Sequence, residues 1–235
     1  MAPNTSTITV QDMIDWARVH NKLQPFVGLG GLANQPALRI ANEVKLAIIN
    51  QQTYNWEWNR ARHTPFLTVD GYDEYPILGH DIGWLENGYM EWNDDTSTPK
   101  NKRKLEVQQD LLRAYHKEDP THAALDIDDY GQRIVRLSPI PSTTEWLVYL
   151  TYQKDPSRIT VLSGGENQDG TFYPIPDKME HVISQFYLAF CFRLVDKNTY
   201  YGELAEAMRR LDLYRNTSSA EQSSTIMVPD VPLIR

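Results

Sequence analysis

Cysteine is almost missing from this chain: Cys191 is the only one among 235 residues. No intrachain disulfide can form, so stability must come from packing or from assembly. Cys191 sits between Phe190 and Phe192 with no base or cation beside it in sequence, and reads as a buried small hydrophobe rather than a thiolate nucleophile. Long apolar runs are also missing. The longest, Phe186 to Phe192, is far short of the roughly 20 residues that cross a bilayer. The opening residues from Met1 to Ile8 carry neither a basic cluster nor an apolar stretch, so no secretory leader and no membrane association are expected.

Positive charge is scarce. There are 23 Lys and Arg against 31 Asp and Glu, a formal net charge of −8. Affinity for nucleic acid rests on cations that neutralise phosphates, and the only dense basic cluster is Lys100, Lys102, Arg103 and Lys104. An acidic wall instead repels a duplex and lets it pass.

Recognisable catalytic patterns are thin. The glycines at 28, 30 and 31, followed by Ala33, have dinucleotide-fingerprint spacing. However, the polar stretch from Asn21 to Pro25 stands where a hydrophobic strand is needed. The six histidines, His20, His63, His80, His116, His122 and His181, include no pair spaced to share a helix face, so no metal site is expected. The acidic stretch Asp126 to Gly131 resembles a calcium loop but has Leu137 where the bidentate glutamate should stand, and reads as a charged turn. Asp94 and Asp95 lie in a polar loop. No catalytic residue, cofactor or metal is assigned, and the chain reads as a non-enzyme; a hydrolase using clustered carboxylates is the distant alternative.

What is present is apolar material for a real core, at 41% of residues, with 11% aromatic. Helical spacing marks Val10 to Val19, with Thr9 and Asp12 placed for a capping box. It marks Pro36 to about Gln52, with Asn34 as cap and Ala37, Ile40, Val44, Ala47 and Ile48 on one face. Lys102 to Tyr115 also reads as helical, through Leu105, Gln108, Leu112 and Tyr115. The strongest helix begins at Pro176 and is apolar on most sides through Val195, which is the pattern of a helix that is buried or shared with a partner. A last helix is expected from about Tyr200 to Arg215.

Strand signals occupy the middle. Phe66 to Val69 and Tyr72 to Ile77 flank the Asp70–Gly71 turn, and Trp84 to Trp92 alternates around Asn87–Gly88, a second hairpin signal. Arg133–Leu137 and Trp146–Tyr152 follow, the latter with Trp146, Val148, Leu150 and Tyr152 on one face. The expected fold is therefore α+β: mainly an α-helical bundle with a small antiparallel β domain and an extended C-terminal tail. The bundle is assigned to residues 1–60, 100–118 and 174–217, the β region to 61–99 and 119–173, and the tail to 218–235. Pro229 and Pro232 forbid a regular helix at the tail's end. Its apolar residues Ile226, Met227, Val228, Val231, Leu233 and Ile234, with those prolines and Arg235, make an extended docking segment.

Several elements in order resemble the head–tail adaptor proteins of phages, including the tail tubular protein A type. They are an N-terminal helix ending in the aromatic cluster Tyr54, Trp56 and Trp58; Phe66 to Gly71 followed by Asp73 to Ile77; Arg136 to Pro141, Leu147 to Tyr152 and Lys154 to Pro156; and the helix pair after Tyr173 to Pro176, with Tyr200 to Leu204 opening the second. The resemblance spans roughly residues 35 to 215. It implies a structural virion protein of the phage neck, folded in the host cytoplasm and assembled as a ring, commonly of twelve subunits. That ring would lie between the portal protein and a tail or nozzle protein, with DNA passing through its channel without specific binding. The segment Ile226–Arg235 would then dock on the portal. Another tail-completion protein of similar shape is the nearest alternative.

Overall fold

The computed structural model describes residues 6–19, 36–50, 54–77, 81–93, 101–109, 116–161 and 170–224, with side chains to residue 216. The chain forms two compact units, residues 1–48 with 158–235 and residues 49–157.

The first unit carries the helices: α1 (Val10–Ala17), α2 (Pro36–Ile49, whose last residue is counted with the second unit), α3 (Glu180–Val195) and α4 (Lys197–Ser224). The capping box at α1 is present: Thr9 accepts from the Asp12 amide, and the Asp12 carboxylate accepts from the Thr9 amide at 2.8 Å. Val10, Met13, Ile14 and Ala17 are buried, the face set by helical spacing. Just upstream, Thr7 donates to Asp177 through its amide (2.8 Å) and hydroxyl (2.7 Å). This ties the start of the described chain to the turn that leads into α3.

α3 is the centre of this unit. Every residue from Val182 to Phe192 is buried, polar Ser184 and Gln185 included. Ser184 donates to the Glu180 carbonyl at 2.7 Å, and Gln185 donates to the Glu203 carboxylate on α4, so both polar groups are satisfied. Burying each large apolar side chain here contributes about 1.5–3 kcal/mol. α4 starts after a single residue, Asp196. Its carboxylate caps the new helix by accepting from the Thr199 hydroxyl (2.7 Å) and the Asn198 amide (3.1 Å). Asn42 on α2 pairs with Ile159 in both directions, at 2.9 and 2.8 Å, in the manner of a strand rung. No helix among the described residues is long and apolar enough to cross a membrane.

The second unit is a sheet. Its strands are β1 (Arg60–Arg62), β2 (Phe66–Leu67), β3 (Glu74–Pro76), β4 (Ile82–Trp92), β5 (Lys102–Gln108), β6 (Lys117–Glu118), β7 (His122–Ile127), β8 (Arg133–Ser138), β9 (Ile140–Pro141) and β10 (Trp146–Lys154). Eight of them form one sheet in the order β1-β10-β4-β5-β7-β8-β3, with β2 also paired to β10, while β6 and β9 pair apart. β5 and β7 run parallel; the other neighbours in the large sheet are antiparallel. The sheet curls into a half-barrel around Met90, Leu105, Val135, Leu137, Trp146 and Val148, all at most 1% exposed.

This architecture corrects the expected one. The largest assembly is a curled mixed sheet, not a helical bundle with a small antiparallel β region, and four helices occur among the described residues. The decisive segment is Lys102–Gln108. Its apolar positions at 105 and 107 fit a strand as well as a helix, and pairing on both sides settles it: Leu105 faces Gly88 on β4, and Glu106 faces His122 on β7. Such pairing overrides local periodicity. Residues 110–115 of that expected helix lie outside the described residues.

Asn87–Gly88 is likewise no hairpin; β4 runs straight through it. Gly88 is there for room, since a Cβ would meet Leu150 Cδ2 at 2.8 Å and Leu105 Cβ at 3.3 Å. α4 continues to Ser224, so residues 218–224 of the expected tail are helical, and the rest of that segment lies outside the described residues.

Candidate docking face on the sheet

Strand alternation builds this face. On β10, Trp146, Val148, Leu150 and Tyr152 point into the core, so Leu147, Tyr149 and Thr151 point out. Register then lays three rows across the outer surface. Tyr149 lies opposite Tyr89, which lies opposite Lys104; Leu147 opposite Glu91 and Lys102; and Arg62 opposite Thr151 and Asn87.

The central row is aromatic. The Tyr89 and Tyr149 rings stack with centroids 4.7 Å apart and planes 7° from parallel. Lys102 covers the far side of the pair, with Nζ 5.6 Å from the Tyr89 centroid and 3.4 Å from Glu91 Oε2. On the Tyr149 side the surface dips into a depression of about 480 Å³, walled by Arg60, Arg62, His63 and Pro65.

The electrostatics of this wall are uneven. Arg60 is spent: Nε donates to Glu86 Oε2 at 2.8 Å, a second guanidinium nitrogen bonds the other oxygen, and these bonds push Arg60 further above its ordinary pKa. Gln153 donates to the same Glu86 and to the Trp56 carbonyl, both at 3.0 Å. Arg62 and Lys104 form no ion pair among the described residues. His63 is held by its backbone, whose amide donates to the Leu150 carbonyl at 3.0 Å, and its ring stands edge-on to Phe66. Both ring nitrogens are buried without a hydrogen-bond partner. A buried polar group left in that state costs about 1–3 kcal/mol.

The basic cluster seen in sequence is divided by the strand. Lys102 and Lys104 are in the outward rows, whereas Arg103, between them, pairs with Asp119 at 2.7 Å and lies over the Trp146 ring. Lys100 lies outside the described residues.

Elsewhere the chemistry is dispersed. A second depression of about 480 Å³ is lined by Asn55, Trp84, Glu86 and Gln108, with the Glu86 carboxylate already committed. No group of three or more His, Cys, Asp or Glu that could hold a metal occurs among the described residues. Of the stretch Asp126–Gly131, Asp126 and Ile127 end β7, and the rest is a tight turn organised by Asp128, which accepts from the Tyr130 and Gln132 amides at 2.9 and 2.7 Å. Burial pushes the Cys191 thiol up to about 12, so it is a poor nucleophile at neutral pH.

The nine residues expected to dock on a portal, Ile226, Met227, Val228, Pro229, Val231, Pro232, Leu233, Ile234 and Arg235, lie outside the described residues, as do Gly28 to Ala33, His20, His80, Asp94 and Asp95. Sequence reasoning missed the outer face. The alternation on β10 carried half of the signal, but the opposition of Tyr149 to Tyr89 needs the register. No protein-family model matches the chain, and comparison with curated proteins finds no relative.

Proposed function

We propose that the protein is a structural adaptor of the phage neck, a ring-forming subunit between portal and tail through which DNA passes, with no catalytic role. The observation that carries this reading is α4. Of its described side chains only Ala207 and Leu211 are buried, while Tyr201, Met208 and Leu213 are 67%, 38% and 51% exposed. Leu194 and Val195, at the end of α3, are exposed beside its start. Tyr201 and Met208 lie seven residues apart on one face of α4, and exposed apolar side chains on a shared face fit contact with neighbouring subunits.

The ordered elements that resemble head–tail adaptors support the same conclusion. So does the net charge of −8, which suits a conduit that DNA must traverse without sticking. Under this reading Ile226–Arg235 docks on the portal protein, and the other side of the ring meets a tail or nozzle protein.

Deleting residues 226–235 tests the docking role. The shortened chain is expected to keep its melting midpoint and lose binding to purified portal. Portal binding at full strength would remove the tail from this account.

A further inference from the structure

We infer that copies of this chain join head to tail through their sheet units, with the Tyr130 turn of one copy seated in the Tyr149–Arg62 depression of the next. The inference rests on the ring reading above and names the contact that would build the ring.

The projecting part is the β7–β8 turn. Tyr130 is 91% exposed and Ile127 62%. An aromatic side chain so bare is usually mobile, but here the backbone that bears it is fixed. Besides the two amides held by the Asp128 carboxylate, the Asp128 amide donates to the Gln132 carbonyl at 2.9 Å and the Gly131 amide to the Asp128 carbonyl at 3.0 Å. Gly131 takes φ +81, a conformation that favours glycine, and a Cβ there would meet nothing within 4 Å. The turn therefore presents an exposed tyrosine on a hydrogen-bonded backbone, flanked by the carboxylates of Asp128 and Asp129.

The receiving part has the complementary chemistry. The depression beside Tyr149 offers an aromatic ring and the exposed cation Arg62, which forms no ion pair among the described residues. A phenol ring can pack against Tyr149. Asp129 can meet Arg62. Tyrosine and arginine are the side chains that most often dominate binding energy, and opposite charge selects the orientation.

The two surfaces are built from different strands and share no residue. The depression lies on β1, β10 and β4, and the turn joins β7 to β8. A copy can thus use both at once. Such a contact is heterologous, and repeating it gives a ring where the rotation closes. A second occupant of different class, single-stranded nucleic acid stacking on the tyrosines, would use the depression without the turn, and is an outcome of the test.

Sedimentation velocity on the full chain separates these cases, with Tyr130→Ala removing the projection and Arg62→Glu inverting the depression. Both side chains are exposed, so the melting midpoints should stay at the wild-type value. Each variant alone should self-associate at least tenfold more weakly than wild type. An equimolar mixture should form a two-copy complex and nothing larger, because one intact turn meets one intact depression and both remaining ends are dead. Tyr149→Ala, in the same depression, should behave as Arg62→Glu does.

Variants that assemble like wild type overturn the contact and leave the ring reading standing, as does a mixture that restores no pair. Loss of oligonucleotide binding in Arg62→Glu with unchanged self-association would also overturn the contact, by giving the depression to nucleic acid. A wild-type chain that stays monomeric at every concentration, alone and with portal, overturns contact and ring together.

Discussion

Arg103 and Trp146 are joined twice: the guanidinium carbon lies 5.1 Å from the indole centroid, and both side chains hold Asp119, Arg103 at 2.7 Å and the indole N–H at 2.9 Å. Trp146 is 1% exposed at the edge of the sheet core, so its N–H needs a partner inside the protein. Asp119 supplies it, and Arg103 balances the charge that this places beside the core.

Asp119→Ala is therefore expected to destabilise the sheet unit by about 1–3 kcal/mol, the cost of a buried donor left unpaired. Urea unfolding followed by tryptophan fluorescence measures it. A change within a few tenths of a kcal/mol would mean that the indole finds another acceptor.

Gly88→Val is expected to cost about 1–3 kcal/mol by overpacking. A Cβ at this position meets Leu150 and Leu105 from the two neighbouring strands, so neither can retreat without disturbing the core. Gly131→Ala tests a different cause, its φ of +81, since nothing crowds that position. Thermal unfolding of the two variants should show the larger loss for Gly88→Val.

Lys45 gives a pH signature. It is 3% exposed on α2, and desolvation lowers its pKa from 10.5 to about 8. The folded chain thus gives up this proton more readily than the unfolded chain does, and burial of the cation costs most below pH 8. As pH rises from 8 to 10.5 the unfolded state holds the proton longer, so stability from this group increases with pH. A displacement of that size corresponds to about 3 kcal/mol. Lys45→Met removes the dependence. The stability of the variant relative to wild type should fall by about that amount between pH 7 and pH 10.5, in denaturant titrations at each pH. A difference that stays flat with pH would show that Lys45 is not held as a buried cation.

The helices of the first unit were largely legible in the sequence, because their signals are local. Thr9 and Asp12 are three residues apart, and the apolar run to Phe192 needs no partner to be read as buried. The sheet was legible only in part. Trp146, Val148, Leu150 and Tyr152 announce one buried face of β10, yet Lys102–Gln108 reads as helix in sequence because its pairing with β4 and β7 is not visible from within the segment. Gly88 carries the signal of a turn and serves the packing of two leucines. The outer face depends on register throughout: Tyr89 and Tyr149 are 60 positions apart, and nothing near either one names the other.

The most direct measurement is the mass and shape of the full chain in solution, by light scattering and negative-stain microscopy, alone and with purified portal. A closed ring is expected, formed either by the chain itself or on the portal. A chain that remains a single copy in both settings would contradict it.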